Sequence, residues 1–515
     1  MDPLTPAAEA AQELDAPVGP DGASDPHPHG ARRAGLFFLA FASGFAVLTI
    51  EIAGARLIAP VFGLSVVPWT AVIGVILAAL AVGSHVGGRL ADGERIPLSA
   101  VLVAAGFTGV LPVLGSGVPW HAQAALGFVG GAVASAVVLF APSVFCLGAV
   151  VPYLVQADTE SLGNVGRRAG DVSAAATAGS IAGSFVTGFV LLPALPVTVL
   201  LGLTSAGLLA LAGLSGWILG RRAPAELLAL GALGLSALGA ASARPGPETL
   251  FQTQTLYASV QVTEREGEGG RRVRTLRQNG GSSSAEYVDT GDPAHGYVDA
   301  SALILEPVIG NVRSMLVLGG AALSLPVAFS RWRPHLRIDV VEIDPVVTRL
   351  AREYFAYGRG EYPGIRVTHD DARVYLRRTS ETYDLVYLDV FDHLLSVPWT
   401  MVTEEALSDM DDRLEPDGLF VANVLSPIAG PGAAFLQRFL STLGEVFPEV
   451  RVYAADAEAS PGVIQSLIVV AGRDPAALPD TSWPRAPVGP AGRPLTDAWA
   501  PVEYLQAKLF LHGAW

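Results

Sequence analysis

Long apolar runs dominate the first half of the chain, and short alternating runs dominate the second. A helix needs roughly 20 apolar residues to cross the hydrocarbon core of a bilayer. The pattern predicts a transmembrane bundle of about seven helices over 31–244, with six or eight as alternatives, because the fourth run is long enough to break at Pro142 or Pro152. The runs lie at 35–57, 69–90, 97–117, 124–155, 172–194, 196–218 and 224–243.

A different texture begins near residue 245. A small β region is predicted over 245–300, where YASVQVTERE and RRVRTLRQN flank a glycine-rich turn and have the form of a hairpin. From 301 to 515, β-branched runs alternate with helical patterns, which is typical of a mostly parallel sheet covered by helices, a Rossmann-like α/β domain. The strand runs are SMLVLGG, RIDVVEI, IRVTH, YDLVYLDVF, GLFVANV and VIQSLIVVAG.

Composition agrees with a membrane protein. Hydrophobic residues make up 51% of the chain and charged residues 16%, which is too apolar for an ordinary soluble protein. The net charge of -15 argues against nucleic acid as a partner, because its binders need clustered Lys and Arg. Residues 1–30 have no apolar run and no basic start, so they predict a disordered tail and not a signal peptide. The single cysteine, Cys146, is expected only to pack.

The loops after the first two predicted strands of the α/β domain suggest a nucleoside site, because ligands of such sheets bind beyond the carboxyl ends of the strands. Gly319 and Gly320 let a ligand approach the backbone at a helix start. Glu342, at the end of the second strand, can accept hydrogen bonds from both hydroxyls of a ribose. The alternative is a tight turn followed by an exposed acid.

Three more acids follow the third and fourth strands. Asp371, followed by Ala372, can accept from the amino group of adenine, or it can simply cap the next helix. Asp389 and Asp392 lie three residues apart in one loop, and paired carboxylates can hold and deprotonate an ammonium or balance a sulfonium. One carboxylate packing against the backbone is the alternative.

Two features of the apolar half allow another function. Glu51 lies about midway along an apolar helix, where a carboxylate usually faces a protein interior or a water-filled path; it either pairs with Arg56 or a polar neighbour, or serves a substrate or proton. The stretch GGRLAD at 87–92 looks like a loop motif of major facilitator transporters. Transport or sensing, with a non-catalytic nucleoside-binding domain, is therefore one hypothesis.

Taken together, the second half resembles the polyamine aminopropyltransferases, meaning spermidine and spermine synthases, and especially bacterial forms fused to a membrane bundle. The likeness covers roughly 250–505, and the first apolar run, SGFAVLTIEIAGARLIAPVFG, is similar to the opening span of those fusions. The segments that carry it are VLGGAALSLP, VVEIDP, HDDARVYL, YDLVYLDVFD, TEEAL and LTDAWAPVEYL.

The resemblance implies roles for single residues and no metal. Glu342 would bind the ribose and Asp371 the adenine, with Gly319, Gly320 and Ala372 beside the same nucleoside. Asp389 would orient and deprotonate the attacking amine, with Asp392 as the second acid of its loop. The substrates would be S-adenosylmethionine or its decarboxylated form, releasing methylthioadenosine, and an amine such as a polyamine near Tyr257 and Tyr297. A homodimer through the β region and a multi-pass location in a bacterial cell membrane are also implied.

The sequence departs from the family's pattern mainly at the amine end. Ala322 stands where the glycine-rich loop normally has an aspartate for the aminopropyl ammonium, and Ala258 where a glutamine follows Tyr257. Val298 replaces a histidine, and His393 replaces a proline. Acceptor-independent cyclisation or lysis of S-adenosylmethionine is therefore an alternative to amine transfer, and methyl transfer is a third.

The side of the membrane is predicted in two conflicting ways. Basic pairs fall in alternate loops, which the positive-inside rule assigns to the cytoplasm. With an odd number of spans the α/β domain would then lie outside, where S-adenosylmethionine is not expected, so a cytoplasmic domain with a miscounted helix is favoured. The pairs are Arg32 and Arg33, Arg89 and Arg95, Arg167 and Arg168, and Arg221 and Arg222.

Overall fold

A computed structural model describes residues 29–63, 66–93, 95–115, 117–159, 164–219, 231, 248–390, 397–456 and 458–511. The predicted tail, except for its last two residues, lies outside this set. So do the seventh apolar run, except for Gly231, and Asp392 and His393.

Long helices form the first half, as predicted. Six helical stretches in the described part are long and apolar enough to cross a membrane. The long fourth run breaks just before Pro142, where Phe140 separates two helices. The helices are α1 His29–Phe62, α2 Val66–Asp92, α3 Leu98–Thr108, α4 Leu111–Leu114, α5 Val118–Leu139, α6 Ala141–Asp158, α7 Val165–Val186, α8 Leu192–Ala194 and α9 Val197–Ile218, with a π-helix at Thr187–Leu191.

The chain reverses inside α5. Gly127 has φ 71° and ψ −171°, which favours glycine, and a Cβ placed on Gly131 would lie 2.8 Å from the backbone nitrogen of Gln123. The arm after this turn starts beside the end of α1, where the rings of Phe62 and Phe128 have centroids 5.6 Å apart. The first arm therefore continues in the direction of α3, and the second arm leads into α6, so the described residues form six passages along the bundle.

Small residues bring pairs of these helices into backbone contact. A Cβ on Gly179 of α7 would lie 1.9 Å from the carbonyl oxygen of Phe41 in α1, and one on Gly83 of α2 would lie 2.0 Å from that of Phe145 in α6. Such close approach is how apolar helices gain contact area in lipid, where no hydrophobic effect drives them together.

The two ends of the bundle differ. At one end Arg33 of α1 forms ion pairs with Asp171 of α7 (2.8 Å) and with the buried Asp158 of α6 (3.7 Å). Arg168 of α7 also pairs with Asp158 (3.1 Å). At the other end, Arg56 of α1 donates to the carbonyl oxygen of Leu256 (2.9 Å). In the described part of the chain Arg56 forms no ion pair with Glu51, so one of the alternatives given for Glu51, pairing with Arg56, is not found. The α/β half thus lies at the end opposite to the Arg33 cluster.

Four antiparallel strands follow, paired in chain order. The predicted hairpin is confirmed as β2 and β3, and two further strands flank it. The strands are β1 Thr249–Gln254, β2 Ser259–Glu266, β3 Arg272–Gln278 and β4 Gly281–Tyr287.

A seven-stranded mixed sheet completes the predicted Rossmann-like fold, in the order β10-β11-β9-β8-β5-β6-β7. Strands β5 to β9 are parallel, while β11 runs antiparallel to β9 and β10 antiparallel to β11. Strand β10 was not predicted from the sequence. The strands are β5 Ser314–Leu318, β6 Arg337–Val341, β7 Ile365–Thr368, β8 Tyr383–Leu388, β9 Leu414–Ser426, β10 Glu449–Ala454 and β11 Gln465–Gly472.

Helices cover both faces of this sheet, so its strands lie in two buried apolar clusters. The chain order reverses between β5 and β8, which places a crevice at their carboxyl ends. The helices of this half are Gly296–Ile309, Ser324–Trp332, Pro345–Tyr354, Ala356–Arg359, Ala372–Arg378, Glu404–Asp411, Ala434–Val446 and Val502–Leu511.

Candidate active site

A cavity of about 520 Å³ lies at the crevice where the strand order reverses. Its volume is in the range of small-molecule sites. The structure brings together all the predicted site residues that it describes, although their roles stay predictions. The lining includes Tyr257, Tyr297, Gly319, Gly320, Glu342, Asp371, Ala372 and Asp389.

The glycine-rich loop after β5 lies directly against the loop after β8. Gly319 has φ 91°, and a Cβ there would lie 2.2 Å from the carbonyl oxygen of Asp389. Any larger residue would therefore be strained by conformation and by contact. This glycine lets the two loops form one continuous wall of the cavity.

Glu342 ties the glycine-rich loop to the end of β6. Its Oε2 accepts from the backbone N–H groups of Gly320 (3.0 Å) and Ala321 (2.9 Å), and its Oε1 accepts from the N–H of Asp344 (2.9 Å). Burial raises the pKa of this carboxyl, while the three backbone donors oppose that rise. Each carboxylate oxygen has more than one lone pair, so hydroxyl donors of a ligand can add to these bonds.

Asp371 caps a helix and also lines the cavity. Its Oδ1 accepts from the N–H groups of Arg373 (2.9 Å) and Val374 (3.1 Å), at the start of the helix Ala372–Arg378. The capping alternative is therefore observed, and a contact with adenine stays a prediction. Capping uses the Oδ1 atom of Asp371, and the residue still lines the cavity.

Asp389, at the end of β8, has a hydrogen-bond donor on each oxygen. The Tyr297 hydroxyl donates to Oδ2 (2.7 Å), and the Asn423 side-chain amide donates to Oδ1 (3.2 Å). Removal from water raises the pKa of the Asp389 carboxyl, and the two donors act in the opposite direction. Burial beside this carboxylate also raises the pKa of Tyr297, so its hydroxyl stays protonated as a donor. The result is an oriented carboxylate that can accept a proton.

Two polar residues of the lining, Asn423 and His295, are notable among those that were not predicted from the sequence. Asn423 is 5% exposed and its Oδ1 has no partner within the described residues, so a donor of a bound ligand could complete it. The signal was present, because asparagine is the one polar side chain in the buried run LFVANV of β9. His295 lines the cavity 2.9 Å from the Ser282 hydroxyl, and burial lowers its pKa, which favours the neutral ring.

The departures from the family's pattern that the structure describes are packed in the core. Ala258, Val298 and Ala322 are each at most 1% exposed, and they belong to the apolar cluster beneath the cavity. The Ala322 N–H donates to the Ser284 hydroxyl. Apolar packing thus stands where polar contacts were expected from the resemblance.

Fold and cavity define an α/β domain of the Rossmann type, with a buried carboxylate, Asp389, directly after its strand β8 and inside the cavity. The family model for the spermine/spermidine synthase domain matches residues 297–472, the part of the chain that builds most of this cavity. The chain therefore contains a spermine/spermidine synthase domain, and polyamine aminopropyltransferases are its homologues.

Curated relatives support this assignment. A polyamine aminopropyltransferase of Vibrio vulnificus is 30% identical over 195 residues, which is 35% of this chain and 61% of that protein. One of Mycobacterium tuberculosis is 29% identical over 317 residues, 58% of this chain and 59% of its own length. That share exceeds the part of the chain after residue 248, so this likeness extends into the apolar half. The chain spans 61% and 44% of the length of the first two curated relatives that it matches.

Two solved structures align with part of the chain. A probable spermidine synthase from Corynebacterium glutamicum aligns with a TM-score of 0.39 and 22% identity, over 47% of this chain and 90% of that one. Spermidine synthase from Thermotoga maritima aligns with a TM-score of 0.37 and 20% identity, over 45% of this chain and 76% of that one.

Proposed function

We propose that the protein is a membrane enzyme that transfers an alkyl group other than methyl from an adenosyl sulfonium to an amine. Decarboxylated S-adenosylmethionine is the proposed donor, a polyamine is the proposed acceptor, and methylthioadenosine is the product. The proposal depends on one observation: Asp389, held by Tyr297 and Asn423, shares a cavity with Glu342 and with the glycine-rich loop.

In the proposed reaction, the acceptor nitrogen attacks the methylene carbon through which the aminopropyl group is bonded to the positive sulfur. A carbon–nitrogen bond forms, the carbon–sulfur bond breaks, and its electron pair neutralises sulfur as the thioether of methylthioadenosine. The proton lost by the amine passes to Asp389, the general base. Glu342, together with Asp371 and the backbone after Gly319, would hold the nucleoside so that nitrogen, carbon and sulfur are aligned.

Product analysis tests this directly. Purified full-length protein is incubated with each donor, with and without putrescine or spermidine. Methylthioadenosine together with an extended amine, formed only when the amine is present, is the expected result. S-adenosylhomocysteine as product would identify a methyltransferase, and no product from any donor would contradict the proposal.

One observation favours a second candidate, the acceptor-independent cyclisation or lysis of S-adenosylmethionine. Among the described lining residues the acids are Glu342, Asp370, Asp371 and Asp389, and the lining from the β region is uncharged. A long polyamine would gain from a further carboxylate for its distal ammonium. Methylthioadenosine formed at full rate without any amine would favour this second reaction.

The bundle raises the question of which side the cavity faces. The Arg33 cluster and the α/β half lie at opposite ends of α1. Together with the positive-inside rule, this arrangement supports a domain outside the cytoplasm. A cytoplasmic domain was expected because S-adenosylmethionine is available there. That prediction stays open, and the arrangement of the two ends argues against it.

Cysteine labelling decides between the two sides. Cys146 is the only cysteine, so Cys146→Ser gives a blank background. Glu266→Cys in the β region and Arg89→Cys at the other end are then treated in intact cells with a maleimide that cannot cross membranes. Labelling of position 266 alone places the domain outside, and labelling of position 89 alone places it inside. Insertion in a bacterial cell membrane and dimerisation through the β region are likewise proposals, to be checked by fractionation and by the mass of the detergent-solubilised protein.

A further inference from the structure

The bundle touches the α/β half next to its cavity. Arg56 binds the Leu256 carbonyl oxygen, one residue before Tyr257, and a Cβ on Gly280 would lie 2.7 Å from the carbonyl oxygen of Pro60. Ile464 packs against the apolar cluster of the bundle, two residues before Ser466. Each of these contacts lies within two residues of a residue that lines the cavity. These lining residues are here called the acceptor wall: Tyr257, Gln278, Ser282 and Ser466.

The turn that carries Tyr257 is closed by hydrogen bonds at its base, but its tip is exposed. Within it, the N–H groups of Tyr257 (3.1 Å) and Ala258 (3.0 Å) donate to the Thr255 hydroxyl, and the Ser259 N–H donates to Asn279 (3.0 Å). Leu256 and Tyr257 are 58% and 42% exposed, so packing holds them weakly. A guanidinium bound to the carbonyl between them therefore restricts the turn.

We propose that α1 positions the acceptor wall through Arg56, and that the bundle thereby sets the affinity for the amine acceptor. The effect on amine affinity rests on the proposed function. The restriction of the turn at Leu256 does not. Arg56 is a positioning residue, since it reaches the cavity only through the turn at Leu256. Its Nη1 atom is buried and has no partner within the described residues, so the Leu256 carbonyl is the contact whose loss should matter.

Three full-length variants in lipid nanodiscs test the proposal: Arg56→Gln, Arg56→Lys and the control Arg89→Gln, whose arginine is exposed at the other end of the bundle. Arg56→Gln should raise the KM for the amine about tenfold, the effect of losing one hydrogen bond from a charged donor. The kcat and the Kd for methylthioadenosine should not change. Arg56→Lys should give an intermediate KM, and Arg89→Gln should match the unaltered protein.

Hydrogen exchange provides a readout that needs no turnover. Amides at 255–259 should exchange faster in Arg56→Gln, while those of the glycine-rich loop at 319–323 should not. An unchanged amine KM with unchanged exchange at 255–259 would overturn the proposal, and so would an equal loss of methylthioadenosine affinity, which indicates a global defect. If the unaltered protein turns over no amine, the proposed function fails, and exchange at 255–259 alone still decides the role of Arg56.

Discussion

Replacing Tyr297 by Phe should move the pH dependence of the reaction in a known direction. The Tyr297 hydroxyl donates to Oδ2 of Asp389 at 2.7 Å and stabilises the ionised carboxylate, which lowers its pKa against the effect of burial. Without that donor the pKa of Asp389 rises. The reaction needs Asp389 ionised, so the rate falls as pH falls through this pKa, and the acid limb of the profile should lie at higher pH in Tyr297→Phe.

The size of the effect follows from the bond. A hydrogen bond to a charged group contributes about 1.5–3 kcal/mol, and about 1.4 kcal/mol corresponds to one pH unit, so the limb should move by about one to two pH units. The assay is the release of methylthioadenosine, measured as kcat/KM for the donor across the pH range. Tyr257→Phe is the control, because Tyr257 lines the same cavity without bonding Asp389. An acid limb that stays in place in Tyr297→Phe, whatever the loss of rate, would refute the assignment of Asp389 as the base.

Three further substitutions test other parts of the molecule. Asp389→Asn should reduce kcat about a hundredfold or more, the usual contribution of a general base, while calorimetry still detects methylthioadenosine; normal turnover would exclude this base. Glu342→Gln should weaken methylthioadenosine binding about tenfold in calorimetry, because an amide cannot accept as strongly from Gly320, Ala321 and a ribose; unchanged affinity would remove Glu342 from the nucleoside site. Arg168→Gln should lower the free energy of unfolding by about 3 kcal/mol in thermal or denaturant unfolding, because it leaves Asp158 buried with only Arg33 nearby; a loss no larger than that of Arg89→Gln would contradict this.

Much of the architecture could be predicted because periodicity reports burial. The strands that end at Gly319, Glu342 and Asp389 are apolar β-branched runs, and parallel strands bring their carboxyl ends to one edge. The position of the cavity could therefore be predicted from the order of the strands and loops along the sequence. Strand β10 was missed because its sequence, EVRVYA, pairs antiparallel at the edge of the sheet and carries two charges.

Contacts between distant segments could not be predicted. Pairing of Arg56 with Glu51, five residues away, was one alternative from the sequence, but the partner of Arg56 is a backbone carbonyl 200 residues later. Asn423 bonds Asp389 across two neighbouring strands, which requires the register of β8 and β9. The chain reversal in α5 depends on the left-handed conformation of Gly127, one of many glycines in an apolar run that could equally have been packing residues.

The contact between α1 and the β region has a practical consequence for anyone who would cut the chain to obtain a tractable enzyme. A recombinant fragment starting near residue 248 would lose Arg56 and Pro60 and would expose Ile464 and the face of Val502–Leu511 that meets α5. In such a fragment the acceptor wall would be less restricted, so its amine preference would differ from that of the intact protein. Inhibitors selected on the fragment would be selected against that altered site. Substrate profiling should therefore use the undivided protein in a lipid environment.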